Sequence, residues 1–174
     1  MPGTWGRHFD DYLLHAPITH QHRNKIAHQA ALIESALGSR PADVPSMAPA
    51  RATGRRILLT ASRGAADLRR VDPALLHAAD RLVLNDVDPD AFQYALTHLP
   101  PATRAQTAAA PGNILRTAAH LAADHGPFDL VLAGGLFDHL EERFARVLIR
   151  TALSRLCRPG RMSPDWTSPP MPLA

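Results

Sequence analysis

Two apolar runs, one closed by a turn of small residues and the other by an acid, constrain this chain more than any other feature. The first is Ile57-Leu58-Leu59-Thr60-Ala61, and Ser62, Gly64, Ala65 and Ala66 follow it. The second, Leu82-Val83-Leu84-Asn85-Asp86, ends in a carboxylate. Together they read as strand, turn, helix, strand, acid. The interval from Gly64 to Asp86 is close to the roughly 20-residue spacing at which a doubly wound fold sets a small-residue turn beneath a nucleotide and an acid against its ribose hydroxyls. An adenosine-containing cofactor is the expectation.

The alternation continues past this unit. Asp72 caps a helix expected over 73–79, and Asp88-Pro89 starts another whose apolar face is Phe92, Ala95, Leu96 and Leu99 before Pro100-Pro101 ends it. A weak third strand is read at 104–109. Asn113 caps a helix over 114–123, and the apolar run 128–133 reads as a fourth strand buried on both faces. The stretch 141–156 is amphipathic, with Phe144, Val147, Leu148, Ala152 and Leu156 expected inward. Strands alternating with helices imply right-handed crossovers and an α/β fold, a Rossmann-like parallel sheet flanked by helices.

Ahead of this core, Ile26, Ala30, Ile33 and Leu37 form one helical stripe that stops at Gly38, and Pro41, Pro45 and Pro49 mark a linker. Behind it, Pro164, Pro169, Pro170 and Pro172 leave no strand pattern. The expected organisation is an N-terminal helical arm with its linker over 1–54, a nucleotide-binding core over 55–160, and an irregular tail over 161–174. The sheet is expected to lack its last strands, as in a truncated or frame-shifted homologue. Strand four would then present an open edge that invites self-association.

With 174 residues, 45% hydrophobic and 20% charged, the chain suits one soluble domain. Its single cysteine, Cys157, excludes an internal disulfide framework and favours a reducing compartment. The start, with Trp5, His8, Asp10 and Asp11, has no leader pattern, and no apolar run approaches about 18 residues. A cytoplasmic protein without integral membrane contact is expected. The net charge is +3, but the densest basic cluster, Arg51, Arg55 and Arg56, lacks interleaved aromatics and reads as a solvated edge, so no nucleic acid is expected. His20, His22 and His28 miss the one-turn spacing that pairs ligands on a helix, so no metal is expected.

The turn separates two kinds of adenosine cofactor. A dinucleotide fingerprint would place Ser62, Gly64 and Asp67 at its three glycine positions, and Asp67 is a poor substitute where helix and strand must touch, which disfavours an NAD-dependent dehydrogenase. Alternating small residues at Ser62, Gly64 and Ala66 do better. They resemble the G-x-G-x-G turn of class I S-adenosylmethionine-dependent methyltransferases. Asp86 would accept the ribose hydroxyls, with Asp88 as competitor unless it caps the helix after it. Asn113 either meets the adenine or serves only as a cap.

A second stretch sharpens the resemblance. Gly135-Leu136-Phe137-Asp138-His139-Leu140, after strand four and Gly134, is similar to the Gly-Leu-Phe-Asp-Tyr-Leu motif of methyltransferases associated with making 3-hydroxypalmitic acid methyl ester. Those proteins also carry a basic patch in an N-terminal arm, here Arg23-Asn24-Lys25. The resemblance implies S-adenosyl-L-methionine as cofactor and a small-molecule or fatty-acyl carboxylate as acceptor. It implies Ser62, Gly64, Ala66, Asp86, Asn113 and Gly134 as the cofactor-binding set. Asp138 and His139 would orient the acceptor, or else cap and pack against the next helix. Arg63 departs from the family pattern. It stands where the methionine tail would lie, and either pairs with that tail's carboxylate or blocks the site. The alternative to an enzyme is a non-catalytic module of the same fold.

Overall fold

The computed structural model describes residue 12 and residues 14–38, 55–77, 79–137 and 140–157, with nothing said of the side chain at 80. The linker expected over 39–54 and the tail over 161–174 lie outside them.

Helix α1 (Pro17–Gly38) precedes strand β1 (Arg55–Thr60), and a 3-10 turn (Leu68–Arg70) and one-turn helix α2 (Pro73–Leu76) lead to β2 (Ala79–Asp86). Then come α3 (Pro89–His98), α4 (Pro101–Ala105), β3 (Thr107–Pro111), α5 (Ile114–Asp124), β4 (Leu130–Ala133), α6 (Glu142–Thr151) and a π-helical turn (Ala152–Leu156). The sheet order is β3-β2-β1-β4 and every pairing is parallel. Register is fixed across it, with Leu58 beside Val83 and Val131.

The two central strands show why the chain folds this way. Ile57 and Leu59 of β1 join Leu82 and Leu84 of β2 in one apolar cluster, with Ile33 and Leu37 of α1 and Phe92 and Ala95 of α3. Leu58 and Val83 point the other way, into a cluster with Ala118 and Leu121 of α5, Phe128, and Leu148 of α6. Successive side chains alternate across a strand, so unbroken apolar runs require helices on both faces. Caps set where the helices begin. Asp72, Asp88 and Asn113 each accept a backbone N–H two residues on, from Ala74, Asp90 and Leu115 at 2.8, 2.9 and 2.9 Å. Each such cap contributes about 1 kcal/mol.

Several expectations are corrected. The third strand begins at Thr107, because Pro101 at a first helical position holds the chain in α4 through Ala105. The helix expected over 73–79 stops at Leu76, since Ala79 already pairs with Arg55. Strand β4 is not buried on both faces. Leu130, Val131 and Ala133 are half-buried because β4 is the outer strand of the described sheet, its other edge met only by an isolated bridge of Phe128 to Cys157. On α6, Phe144 and Val147 face outward, 39% and 52% exposed, and Leu148 carries the packing.

The basic edge is also not solvated where it is described. Arg55 is buried and pairs with the Asp129 carboxylate at 3.6 Å. Asp129 also accepts the backbone N–H of Arg56 at 3.0 Å, and the Arg56 guanidinium donates to the Gly126 carbonyl at 2.6 Å. These bonds lock the amino end of β1 to the entry of β4.

Candidate cofactor site

The strand order creates the site. From β1 the chain steps outward to β2 and β3, then returns to the far side of β1 as β4, so the loops leaving β1 and β4 part over the carboxyl end of the sheet. A crevice at such a reversal is where open α/β sheets take ligands. Here the Thr60 hydroxyl donates to the Leu132 carbonyl at 3.2 Å, tying the floor of the crevice together.

A first cleft, about 110 Å³, lies in the crevice between the turn 61–67 and Gly134. Helix α1 closes it with His22, Lys25, Ile26 and Gln29, residues at the three- and four-residue intervals that share one helix face. A second cleft, about 120 Å³, lies over the ends of β2 and β3, lined by Asn85, Asp86, Gly112, Asn113 and Leu136 among others. Ala61 forms part of both walls, so the clefts adjoin across a single residue.

The turn between them is strained. Ala61, Arg63 and Ala65 have φ of 49°, 46° and 48°, a left-handed conformation costing an L-residue roughly 1–2 kcal/mol. Backbone strain of this kind persists only where the surroundings over-determine it, and it gathers at binding sites. Three hydrogen bonds impose it. Ser62 N–H donates to the Asn85 carbonyl at 3.2 Å, Arg63 N–H to the Asp86 carboxylate at 2.7 Å, and Ala65 N–H to the Ser62 carbonyl at 2.8 Å. The alternating positions with special backbone are thus 61, 63 and 65, one residue out of step with the small residues Ser62, Gly64 and Ala66 read as the pattern.

Those three residues nonetheless all line the first cleft, and each has its own local reason. At Gly64 the Tyr94 ring lies over the turn from α3, 2.6 Å from where a Cβ would stand, so a side chain there would push that ring aside. Ser62 presents a buried hydroxyl oxygen with no hydrogen-bond partner among the described residues. Leaving such an atom unsatisfied costs about 1–3 kcal/mol, so a polar ligand atom in the cleft would restore that bond.

Asp86 and Asp88 divide their work as capping chemistry dictates. Asp88 caps α3, while the Asp86 side chain is buried beside the second cleft. Its two oxygens accept from Arg63 N–H at 2.7 Å and Asp88 N–H at 3.1 Å. A carboxylate offers about four acceptor positions, so one on each oxygen remains for a pair of hydroxyls. The Asp86 carbonyl accepts from Gly112 N–H at 2.7 Å, and the Asn85 amide donates to the Ala110 and Gly112 carbonyls at 2.8 and 2.9 Å. Gly112 has φ 128°, and a Cβ there would stand 2.8 Å from Thr117. Only glycine passes that point without strain. Asn113 spends its side-chain oxygen on the α5 cap and keeps its amide nitrogen as donor.

Gly134 lies at the mouth of β4, where an added Cβ would meet the Gln29 amide at 3.3 Å. Asp138 and His139 lie outside the described residues. The residues that sequence reading missed are Asn85, Leu136 and the His22 and Gln29 side of α1. The spacing of His22, Lys25, Ile26 and Gln29 was the available signal, but one polar stripe on a helix reads as a solvated face until its neighbour is known.

Asp67 faces the first cleft and is buried. Burial pushes its carboxyl above the usual range, against the opposing pull of the Leu68 N–H it accepts at 2.9 Å and of Arg69. A folded-state pKa above the unfolded value means that Asp67 favours the folded state fully at pH below 3.8 and that this contribution is lost as pH rises through the folded value. Asp67→Asn keeps an acceptor for Leu68 and removes the buried charge. It is expected to raise the urea midpoint at pH 7, with the gain shrinking toward zero in acid. A gain equally large at pH 3 would show that charge burial is not its cause.

Among the described residues no group of three His, Cys, Asp or Glu side chains is placed to hold a metal, and no helix is long and apolar enough to cross a membrane.

No family model and no curated protein matches the chain. Among solved structures, it is similar to the methyltransferase domain of bacterial CtHen1-CN, with a TM-score of 0.50 at 13% identity, over 79% of this chain and 61% of that one. Cofactor-bound Rv0187 from MTB aligns at 20% identity with a TM-score of 0.40, over 72% of this chain and 60% of that one. The chain spans about three fifths of the length of these proteins. The first likeness shows a shared Rossmann-like α/β fold, a parallel sheet flanked by helices.

Proposed function

We propose that this chain is an S-adenosylmethionine-dependent methyltransferase that esterifies a carboxylate on a small molecule or fatty-acyl chain. One observation carries the reading. Two clefts adjoin at Ala61 over the carboxyl ends of the strands, one beside the Asp86 carboxylate and the other walled by Asp67, Arg63 and Lys25. A ligand with a nucleoside at one end and an amino-acid group at the other matches that division. Asp86 would take the ribose hydroxyls, the Asn113 amide and Leu136 the base, and Ser62, Gly64, Ala66 and Gly134 the amino-acid end in the first cleft. The unsatisfied Ser62 hydroxyl is a fit of this chain's own residues to such a ligand.

The bound cofactor supplies an electrophilic methyl group on a sulfonium, and the chain supplies orientation. A carboxylate acceptor is already ionised near neutral pH, so no general base has to be built. The region 55–160 is the cofactor core in this reading, and the arm within 1–54 closes it through α1. The loop 135–140 supports the ester-forming group, with Asp138 and His139 as orienting residues.

Calorimetric titration tests the reading. S-adenosylmethionine and S-adenosylhomocysteine are expected to bind and NAD is not. A folded protein that binds NAD and neither sulfur nucleoside would sink it. The edge of β4 that no described strand covers and the outward Phe144 and Val147 favour a second reading, in which the same core associates with another copy. A sedimentation coefficient unchanged over a hundredfold range of concentration, at the value of a monomer, would remove it.

A further inference from the structure

We infer that Arg63 is a specificity residue whose guanidinium reads the carboxylate at the amino-acid end of the cofactor, and that this side chain is why the turn carries an arginine where its backbone favours glycine. The inference rests on the reading of the first cleft as the seat of that end.

Arg63 occupies the middle of the three left-handed positions, with φ 46°. The flanking positions hold alanine, the smallest side chain after glycine, while the middle one projects a long cation. It lines the first cleft. Among the described residues its guanidinium has no hydrogen-bond or ionic partner, whereas Arg55 pairs with Asp129, Arg56 with the Gly126 carbonyl and Arg69 with the Tyr94 ring and hydroxyl. Asp67, the acid on the same wall, accepts the Leu68 N–H and makes no ion pair with Arg63.

A planar guanidinium with no hydrogen-bond or ionic partner among the described residues, on a residue that lines the cleft, suits bidentate capture of a carboxylate. The main chain of the same residue does a separate job. Its N–H holds the Asp86 carboxylate at 2.7 Å, so one residue addresses both ends of the ligand, the ribose through Asp86 and the amino-acid group directly. The two roles are separable by mutation, because only the side chain changes.

The test compares two ligands that share adenosine and sulfur. S-adenosylhomocysteine has the amino-acid end and methylthioadenosine does not. In calorimetry, Arg63→Gly is expected to weaken S-adenosylhomocysteine about tenfold or more, the worth of a charge-assisted hydrogen bond, and to leave methylthioadenosine within twofold. Its melting temperature should rise as the backbone strain is relieved. Arg63→Ala, which keeps a Cβ at the strained position, should show the same selective loss without the rise. An equal loss for both ligands would mean that the side chain acts on the turn as a whole and does not read the amino-acid end, and an unchanged or tighter S-adenosylhomocysteine would mean that the side chain obstructs the cleft. Either overturns the inference while leaving the site intact. Wild-type protein that binds neither ligand overturns the site reading, and the inference with it.

Discussion

Replacing Asp129 with alanine is expected to destabilise the fold by about 3 kcal/mol, the cost of removing one partner of a buried ion pair. The Arg55 side chain is 9% exposed and that of Asp129 3%. Asp129 also receives the Arg56 N–H, so the variant removes a buried ion-pair partner and the acceptor of a backbone donor together. Against a total stability of about 5–15 kcal/mol for a domain, this is a large share. Asp129→Asn keeps an acceptor for Arg56 and should lose less. The paired change Arg55→Met with Asp129→Leu should recover part of the loss, because it removes both buried charges while the Arg56 N–H still lacks its acceptor. Urea unfolding of the four proteins checks this, and a loss below about 1 kcal/mol for Asp129→Ala would show that the pair is not a structural lock.

The largest functional effect is expected at Asp86. Asp86→Ala should weaken S-adenosylhomocysteine at least about a hundredfold, since it removes the acceptors for two ribose hydroxyls and also the carboxylate that holds Arg63 N–H in the turn. Asp86→Asn separates these losses. It retains one acceptor oxygen but turns the other position into a donor, which faces either a hydroxyl or a backbone N–H, so an intermediate affinity is expected. Asp88→Ala is the contrasting variant. It removes the α3 cap at about 1 kcal/mol of stability and should leave nucleoside affinity nearly unchanged. Isothermal calorimetry on the three variants decides the matter, and an Asp86→Ala protein with wild-type affinity would remove Asp86 from the site.

The contrast between Asp86 and Asp88 shows what was legible before the fold was known. Asp88 precedes a proline at a helix start, and Asp72 and Asn113 also stand at helix starts, so their caps follow from two or three consecutive residues. The apolar runs of β1 and β2 were legible for the same reason, because alternation along a strand is local. The third strand was misplaced by a few residues where Pro101 started a turn of helix first. Phe144 and Val147 were misassigned because an apolar residue on a helix tells its face only once the neighbouring element is known, and β4 has no strand beyond it among the described residues.

Sequence by itself determined the layered α/β class, the succession of strands and helices, the caps, and the acid at the end of β2. All of these depend on contacts within a turn or two of chain. Tertiary structure decided the rest. The left-handed turn at 61, 63 and 65 is imposed by Asn85 and the Asp86 carboxylate across more than 20 residues, which no local pattern of small side chains reveals. Arg55 became a buried partner of Asp129 through the pairing of β1 with β4. The polar face of α1 became a cleft wall because β4 returned to the far side of β1 and opened the crevice beneath it. Each of these is a long-range pairing, and its energy exists only after the chain has closed the loop that brings the partners together.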